Sequence, residues 1–242
     1  MQHCELSMVI PVFNGEARIG ATLEAVTNYF AARRSYEIIV VDDGSRDRTA
    51  SIIEESITRH PRVRLIRLPV NRGKGAAVRA GMLAASAGSR CFFDADLPMP
   101  LAQLETILDR LEHGAHVVMA SRVLPDSRVV LQPDPPRRVM SAVFNRVVRA
   151  LFRLPFRDTQ CGLKGLSAEA AEAIFSRSRL DGFAFDVELL LLARQLGYAI
   201  EEVPVRWDNP AHSTVRILGH APTILRDLWT LWASERQGVP HG

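Results

Sequence analysis

Cysteine is scarce in this chain: Cys4, Cys91 and Cys161 are the only three in 242 residues. So few, so far apart, exclude a disulfide framework, and no Cys-x-x-Cys pair offers a structural zinc site. A reducing, cytoplasmic setting is the expectation. Long apolar runs are missing too. None reaches the roughly 18 to 20 apolar residues that a spanning helix needs, and Glu5 stands where a basic leader region would begin. A strong charge of one sign is also absent. Thirty Lys and Arg face 27 Asp and Glu, a formal net charge of +3 with the signs interspersed, which leaves no nucleic-acid footprint. Repeats and low-complexity tracts are absent. What is present, 47% hydrophobic and 24% charged residues, is the composition of a soluble globular protein, and the length suits one domain over 1–242.

Charge is uneven in one place. Arg137, Arg138, Arg146, Arg149, Arg153 and Arg157 fall in a window without an acid, which marks a candidate anion-facing surface.

Short β-branched runs alternate with helical spacing through the first half. Strands are predicted over 6–12, 37–41, 63–67, 90–94 and 116–121, with helices over 18–32, 47–60, 76–87 and 101–113. Ser45 or Asp47 is the expected N-cap of the second helix. The alternation predicts an α/β fold whose mostly parallel sheet is covered by helices on both faces. In such sheets ligands lie beyond the carboxyl ends of the strands, so residues 11–16, 42–45, 71–75, 94–96 and 121–122 should converge. Further on, a flexible loop over 124–136 precedes an amphipathic basic helix over 138–154. A polar, turn-like stretch over 158–165, helices over 168–176 and 186–196, a strand over 199–205 and a helix over 221–232 complete the chain.

Three strand ends carry chemistry. Asp94-Ala95-Asp96 places two carboxylates together, where they repel unless a cation or hydroxyls satisfy them; Mg²⁺ takes one or two carboxylates plus phosphate oxygens. A solvated acidic turn is the other reading. Asp42-Asp43-Gly44-Ser45 suits a base or ribose, and equally a capping turn. Asn71-Arg72-Gly73-Lys74-Gly75 combines glycines and cations as a phosphate cradle does, but it is not a Walker A loop, and no G-x-G-x-x-G follows the first strand.

In combination and order, Val9-Ile10-Pro11-Val12-Phe13-Asn14, Val40-Val41-Asp42-Asp43-Gly44-Ser45, the 71–75 loop and Asp94-Ala95-Asp96 resemble the family 2 glycosyltransferases of GT-A fold. Asp158-Thr159-Gln160-Cys161-Gly162-Leu163-Lys164, Phe185-Asp186-Val187-Glu188 and Glu202-Val203-Pro204-Val205-Arg206-Trp207 look like the dolichyl-phosphate β-glucosyltransferase branch. The resemblance runs from about Leu6 to Arg216 and implies one nucleotide-sugar-binding domain, with a nucleotide half over 1–122 and an acceptor half over 123–242.

It further implies that Pro11, Phe13 and Asn14 line the base, with Asp42 or Asp43 bonding it and Lys74 nearby. Asp94, with Ala95, would meet the ribose and Asp96 a Mg²⁺ or Mn²⁺ ion on the diphosphate. Arg122, Asp158, Gln160 and Asp186 would serve catalysis beside the sugar and acceptor, with Cys161 and Glu188 near them. Cys161 on its own reads as a small packed residue. The implied reaction is inverting transfer of a hexose, first of all from UDP-glucose, to a polyprenyl phosphate. A peripheral contact with an anionic membrane on the cytoplasmic side follows if the basic helix lays Val143, Phe144, Val147, Val148, Leu151 and Phe152 on lipid and its arginines on headgroups; an ordinary helix packed on the sheet is the alternative. Two other readings stay open: transfer to a soluble hydroxyl, for which Asp186 or Glu188 would be the base, and non-catalytic nucleotide-sugar binding. The chain departs from the family pattern at Gly15, where relatives carry glutamate, and at His212-Ser213-Thr214, where they carry Gly-Ser-Lys and Arg216 would substitute.

Overall fold

Tyr36–Asp42 is buried at every position, as expected for a β-branched run in the middle of a parallel sheet. The computed structural model describes residues 4–130, 135–208 and 217–236. In chain order the elements are β1 (Leu6–Val12), α1 (Ile19–Phe30), β2 (Tyr36–Asp42), α2 (Thr49–Arg59), β3 (Val63–Arg67), α3 (Lys74–Ala84), β4 (Ser89–Phe92), α4 (Ala102–Glu112) and β5 (Val117–Ser121). There follow β6 (Arg128–Val129), α5 (Pro135–Phe152), β7 (Lys164–Ser167), α6 (Ala168–Phe175), α7 (Phe185–Gln195), β8 (Ile200–Pro204), β9 (Arg206–Trp207) and α8 (Ile217–Arg236).

Seven strands form one sheet in the order β3-β2-β1-β4-β7-β5-β8. The chain runs outward from β1 to β3 and returns to β4 on the other side of β1. That reversal makes a topological switch point at the carboxyl ends of β1 and β4, where an open α/β sheet leaves a crevice. Two apolar clusters cover the sheet. Ile10, Leu23, Val40, Phe93 and Leu108 belong to one, and Val9, Val41, Met82, Phe92 and Leu190 to the other, so adjacent strand residues point to opposite faces.

The sequence reading departs from this fold at several points. The stretch expected to be turn-like over 158–165 ends in β7, which pairs antiparallel with both β4 and β5. Its four residues, Lys-Gly-Leu-Ser, carry one large apolar side chain, too little for a periodicity to register. Arg128–Val129, inside the expected loop, pairs with Arg206–Trp207 in a small parallel ladder. Arg48 occupies the N-cap of α2 without a side-chain bond, while Asp47 Oδ1 accepts the amide of Thr49 at 3.0 Å. The basic helix forms, but its apolar residues divide. Val148 and Phe152 are buried and Phe144 packs against the same cluster, whereas Val139, Val143, Val147 and Leu151 are exposed. An apolar arc wider than one contact surface cannot all face the sheet, so one row turns outward. Among the described residues no helix is long and apolar enough to cross a membrane.

Candidate active site

The loops after β1 and β2 are laced by side-chain bonds to backbone. Asn14 Oδ1 accepts the amide of Arg46 (3.0 Å), Ser45 Oγ that of Asn14 (2.9 Å) and Thr49 Oγ1 that of Gly15 (2.8 Å). Glu16, one place beyond the family's glutamate position, accepts the amide of Arg48 (2.9 Å) and so belongs to this lacing. Asn14 pays a small strain for its place, with φ 47° in the left-handed region. Phe13 is 42% exposed, an apolar ring at the edge of the crevice.

Asp42 and Asp43 have different duties. Both oxygens of Asp43 are taken by amides of the cationic loop, Arg72 and Gly73, each at 2.8 Å. Burial pushes its carboxyl above the usual range, and those two amides oppose the shift. Asp42 Oδ1 accepts the amide of Ser45 (2.9 Å), while its buried Oδ2 has no hydrogen-bond partner and lies 3.6 Å from Arg67. The cationic loop is pressed against residues 180–182: Gly73 has φ 118°, and a Cβ there would strike the carbonyl of Asp181, whose carboxylate pairs with Arg72 and Arg79.

Lys74, largely buried, reaches Asp94 Oδ1 at 2.5 Å. Burial disfavours its ammonium, but Asp94, then Asp186 and Asp96, outweigh that and hold its pKa above the ordinary lysine value. Ala95 between the two aspartates gives its carbonyl to the Thr22 hydroxyl (2.7 Å). Asp96 Oδ1 is buried without a hydrogen-bond partner, and burial, then repulsion by Asp94, push its carboxyl upward. The next residue, Leu97, has φ 43°, a strained backbone right at this turn. Among the described residues no group of three or more His, Cys, Asp or Glu is gathered for an ion. A cation held here would draw its other ligands from a substrate.

The segment leading into β7 closes the far side. Arg122, at the end of β5, grips Asp158 with its Nε at 2.7 Å and Nη2 at 2.8 Å, and its amide adds a third bond at 3.0 Å. Asp158 is 1% exposed. Burial opposes its charge, but Arg122 overrides this and holds the carboxyl below the usual range. The Arg122 guanidinium also lies 5.2 Å from the Trp207 ring centre. Asn145 of α5 accepts from the amide (3.3 Å) and hydroxyl (3.0 Å) of Thr159, and Glu202 of β8 accepts the amides of Arg157 and Asp158. Gln160 Nε2 is buried without a hydrogen-bond partner. Cys161 is fully buried and its thiol is pushed up to about 12, so it is a packing residue and no nucleophile. Asp186 accepts from Lys164 Nζ at 2.6 Å, and Glu188 accepts the amides of Arg179 and Leu180, both at 2.9 Å.

The family model for glycosyl transferase family 2 matches residues 7–175. The chain is a family 2 glycosyltransferase. It is 35% identical over 216 residues to a dolichyl-phosphate beta-glucosyltransferase of Dictyostelium discoideum, with 84% of this chain aligned, and spans 66% of that relative's length. A mouse protein of the same name is 34% identical over 221 residues, 84% of this chain and 67% of its own. The fold matches glucosyl-3-phosphoglycerate synthase from Mycobacterium tuberculosis, solved with Mn²⁺, UDP and glucosyl-3-phosphoglycerate, at a TM-score of 0.71 and 20% identity, covering 98% of this chain and 81% of that one. The glycosyltransferase thus has the GT-A fold that its motifs implied.

The expected residues gather at one sheet edge, with differing freedom. Pro11, Phe13, Asn14, Lys74, Asp94 and Asp96 flank the switch point, while Asp43 is committed to holding a loop. Arg122, Asp158 and Asp186, expected to act beside the sugar and acceptor, are each bound to an opposite charge. The His212–Thr214 and Arg216 departures lie outside the described residues. Sequence reasoning quoted Lys164 within a motif but did not foresee that its buried ammonium meets Asp186. One signal was available: Lys74 and Lys164 are the only two lysines in a chain with 30 basic residues, and both stand in this site.

Proposed function

We propose that this glycosyltransferase moves a hexose, with UDP-glucose as the first donor to test, onto a polyprenyl phosphate such as dolichyl or undecaprenyl phosphate, with inversion at the anomeric carbon. The observation that carries the reading is the buried, unpartnered Asp96 Oδ1 beside Asp94 and Lys74 at the switch point. Such an oxygen fits a hard divalent cation that completes its shell with diphosphate oxygens and water. Asp96 would hold Mg²⁺ or Mn²⁺, which when bound neutralises charge on the leaving diphosphate.

The chain's own residues supply the rest. Pro11, Phe13 and Asn14 would line the base, Asp42 would read it with the oxygen that takes no hydrogen bond and faces Arg67, and Asp43 would keep the Lys74 loop in place. Asp94 and Ala95 would border the ribose, with Lys74 near the diphosphate. Gln160 would offer its free amide to the sugar or acceptor, and Arg122, fixed by Asp158, would present positive charge without moving. Residues 1–122 would then be the nucleotide half and 123–242 the acceptor half.

A phosphate acceptor is supported by what Asp186 and Glu188 are doing. A hydroxyl acceptor needs a base, yet both carboxylates already accept strong bonds. A phosphate monoester is anionic near neutral pH and needs none. The names of the relatives support the same acceptor class. The exposed row Val139, Val143, Val147 and Leu151 on α5, with Leu225 and Trp229 on α8, would rest on an anionic bilayer at its cytoplasmic face. Arg146 and Arg149 on α5 would reach its headgroups.

The test is transfer of labelled glucose from UDP-glucose to a polyprenyl phosphate with Mg²⁺ or Mn²⁺, beside the Asp96→Ala variant. A lipid-linked product from the wild type alone supports the reading. Product from both variants removes Asp96 from the metal role, and product only with hydroxyl acceptors removes the acceptor class.

A further inference from the structure

Lys164 is fully buried, yet it is a lysine in a chain that otherwise uses arginine for every basic residue but Lys74. It is the first residue of β7, opposite Phe92 at the carboxyl end of β4 and Met119 in the middle of β5. It donates to the carbonyl of Cys161 at 2.8 Å and to Asp186 Oδ1 at 2.6 Å, and lies 5.7 Å from the centre of the Phe92 ring. A compact ammonium with three donors suits such a pocket, whereas a planar guanidinium is larger and forked.

Holding the Cys161 carbonyl has a consequence one residue on. Gly162 presses so closely on Asp94 that an added Cβ would overlap Asp94 Oδ2. Asp94 Oδ1 in turn holds Lys74. A buried ion pair is weak evidence for stability, because well-packed apolar residues of similar volume serve a fold as well or better.

We propose that Lys164 and Asp186 form a positioning pair for the donor site: they clamp the Cys161–Gly162 turn against Asp94 and thereby fix the Asp94 carboxylate and the Lys74 ammonium where the nucleoside diphosphate binds. The pair touches no reacting atom, and its worth lies in affinity rather than in folding. This deepens the reading above and rests on its placement of the donor, but not on its choice of acceptor.

The test compares the wild-type chain with the double variant Lys164→Met/Asp186→Leu, which removes both charges and strands neither. Thermal melting is recorded, together with calorimetric binding, in the presence of Mn²⁺, of whichever of UDP, GDP and dTDP the wild type binds most tightly. The double variant is expected to melt within about 4 °C of the wild type and to bind at least about tenfold more weakly. Asp186→Asn, whose amide oxygen still accepts from Lys164, is expected to recover most of that loss. Binding weakened by less than that factor overturns the proposal. So does a larger fall in melting temperature, which would make the pair a device of the fold, and so does an Asp186→Asn variant that binds no better than the double one. A wild type that binds the nucleotide but transfers nothing to polyprenyl phosphate would sink the acceptor reading and leave this one standing.

Discussion

The loops after β1 and β2 and the segment entering β7 bring carboxylates to one sheet edge, and they hold them by opposite means. In the first region Asp42, Asp43, Glu16 and Asp47 accept backbone amides within or between neighbouring turns. In the second, Asp158 and Asp186 are met by the cations Arg122 and Lys164 in nearly water-free surroundings. Amide-held carboxylates order a loop at little cost, and at the same edge Asp96 Oδ1 is left without a hydrogen-bond partner. Ion-paired ones fix a geometry firmly, but each partner becomes a liability if the other is removed. The switch-point side thus keeps a carboxylate oxygen open, and the far side is held still by ion pairs.

Removing one partner of a buried pair should hurt most. Asp158→Ala, which leaves Arg122 uncompensated, is expected to cost about 3–5 kcal/mol in chemical denaturation, and Arg122→Met/Asp158→Leu should recover most of it. Gly162→Ala places a methyl on Asp94 and should lower turnover about a hundredfold while melting stays near that of the wild type; equal losses in both would erase the distinction between the regions. Asp43→Ala, which only orphans two amides, should cost about 1–3 kcal/mol. A cost as large as that of Asp158→Ala would show that the amide-held region is no cheaper to disturb.

Smaller effects sharpen the comparison. Arg146→Ala with Arg149→Ala should weaken flotation on anionic vesicles by about 1 kcal/mol per arginine and spare UDP binding. If neutral vesicles bind the wild type equally well, charge is not what docks α5. Acid should act through carboxylates held below their ordinary range. Burial raises the pKa of Glu37, but the hydroxyl of Ser7, the amide and hydroxyl of Ser86 and Arg64 lower it further than burial lifts it, and Asp158 is lowered likewise. Their contribution is fully present above the unfolded-state carboxylate pKa, about 4, and is lost as pH falls through the lower folded values. Melting midpoints should therefore drop below that pH, and Glu37→Gln should flatten the slope at a cost of about 1 kcal/mol at neutral pH.

The amide-held region was largely legible. The strand over 63–67 and the first strand have the predicted bounds; the first is a buried apolar run stopped by Asn14-Gly15, and the other a short run between Pro61 and Pro69. Asp94, Asp96 and Lys74 meet because the β-α alternation sends every strand end to one edge. The ion-paired region was harder to read. Asp158 and Asp186 were visible as residues, but their partners sit 36 and 22 positions away on other elements, and nothing local links them. β7 escaped because a strand inserted between two others is held by their ladders rather than by its own propensity. Of the α5 residues expected on lipid, Val143, Val147 and Leu151 do face outward while Val148 and Phe152 are buried; that division escaped because periodicity gives an apolar arc without saying how much of it the sheet can cover.

Calorimetry of UDP binding with and without Mn²⁺, in the wild type and in Asp96→Asn, tests most directly whether the open carboxylate oxygen is what receives the donor. Binding strengthened by Mn²⁺ in the wild type and indifferent to it in the variant is the result expected. The same Mn²⁺ dependence in both proteins would contradict the account.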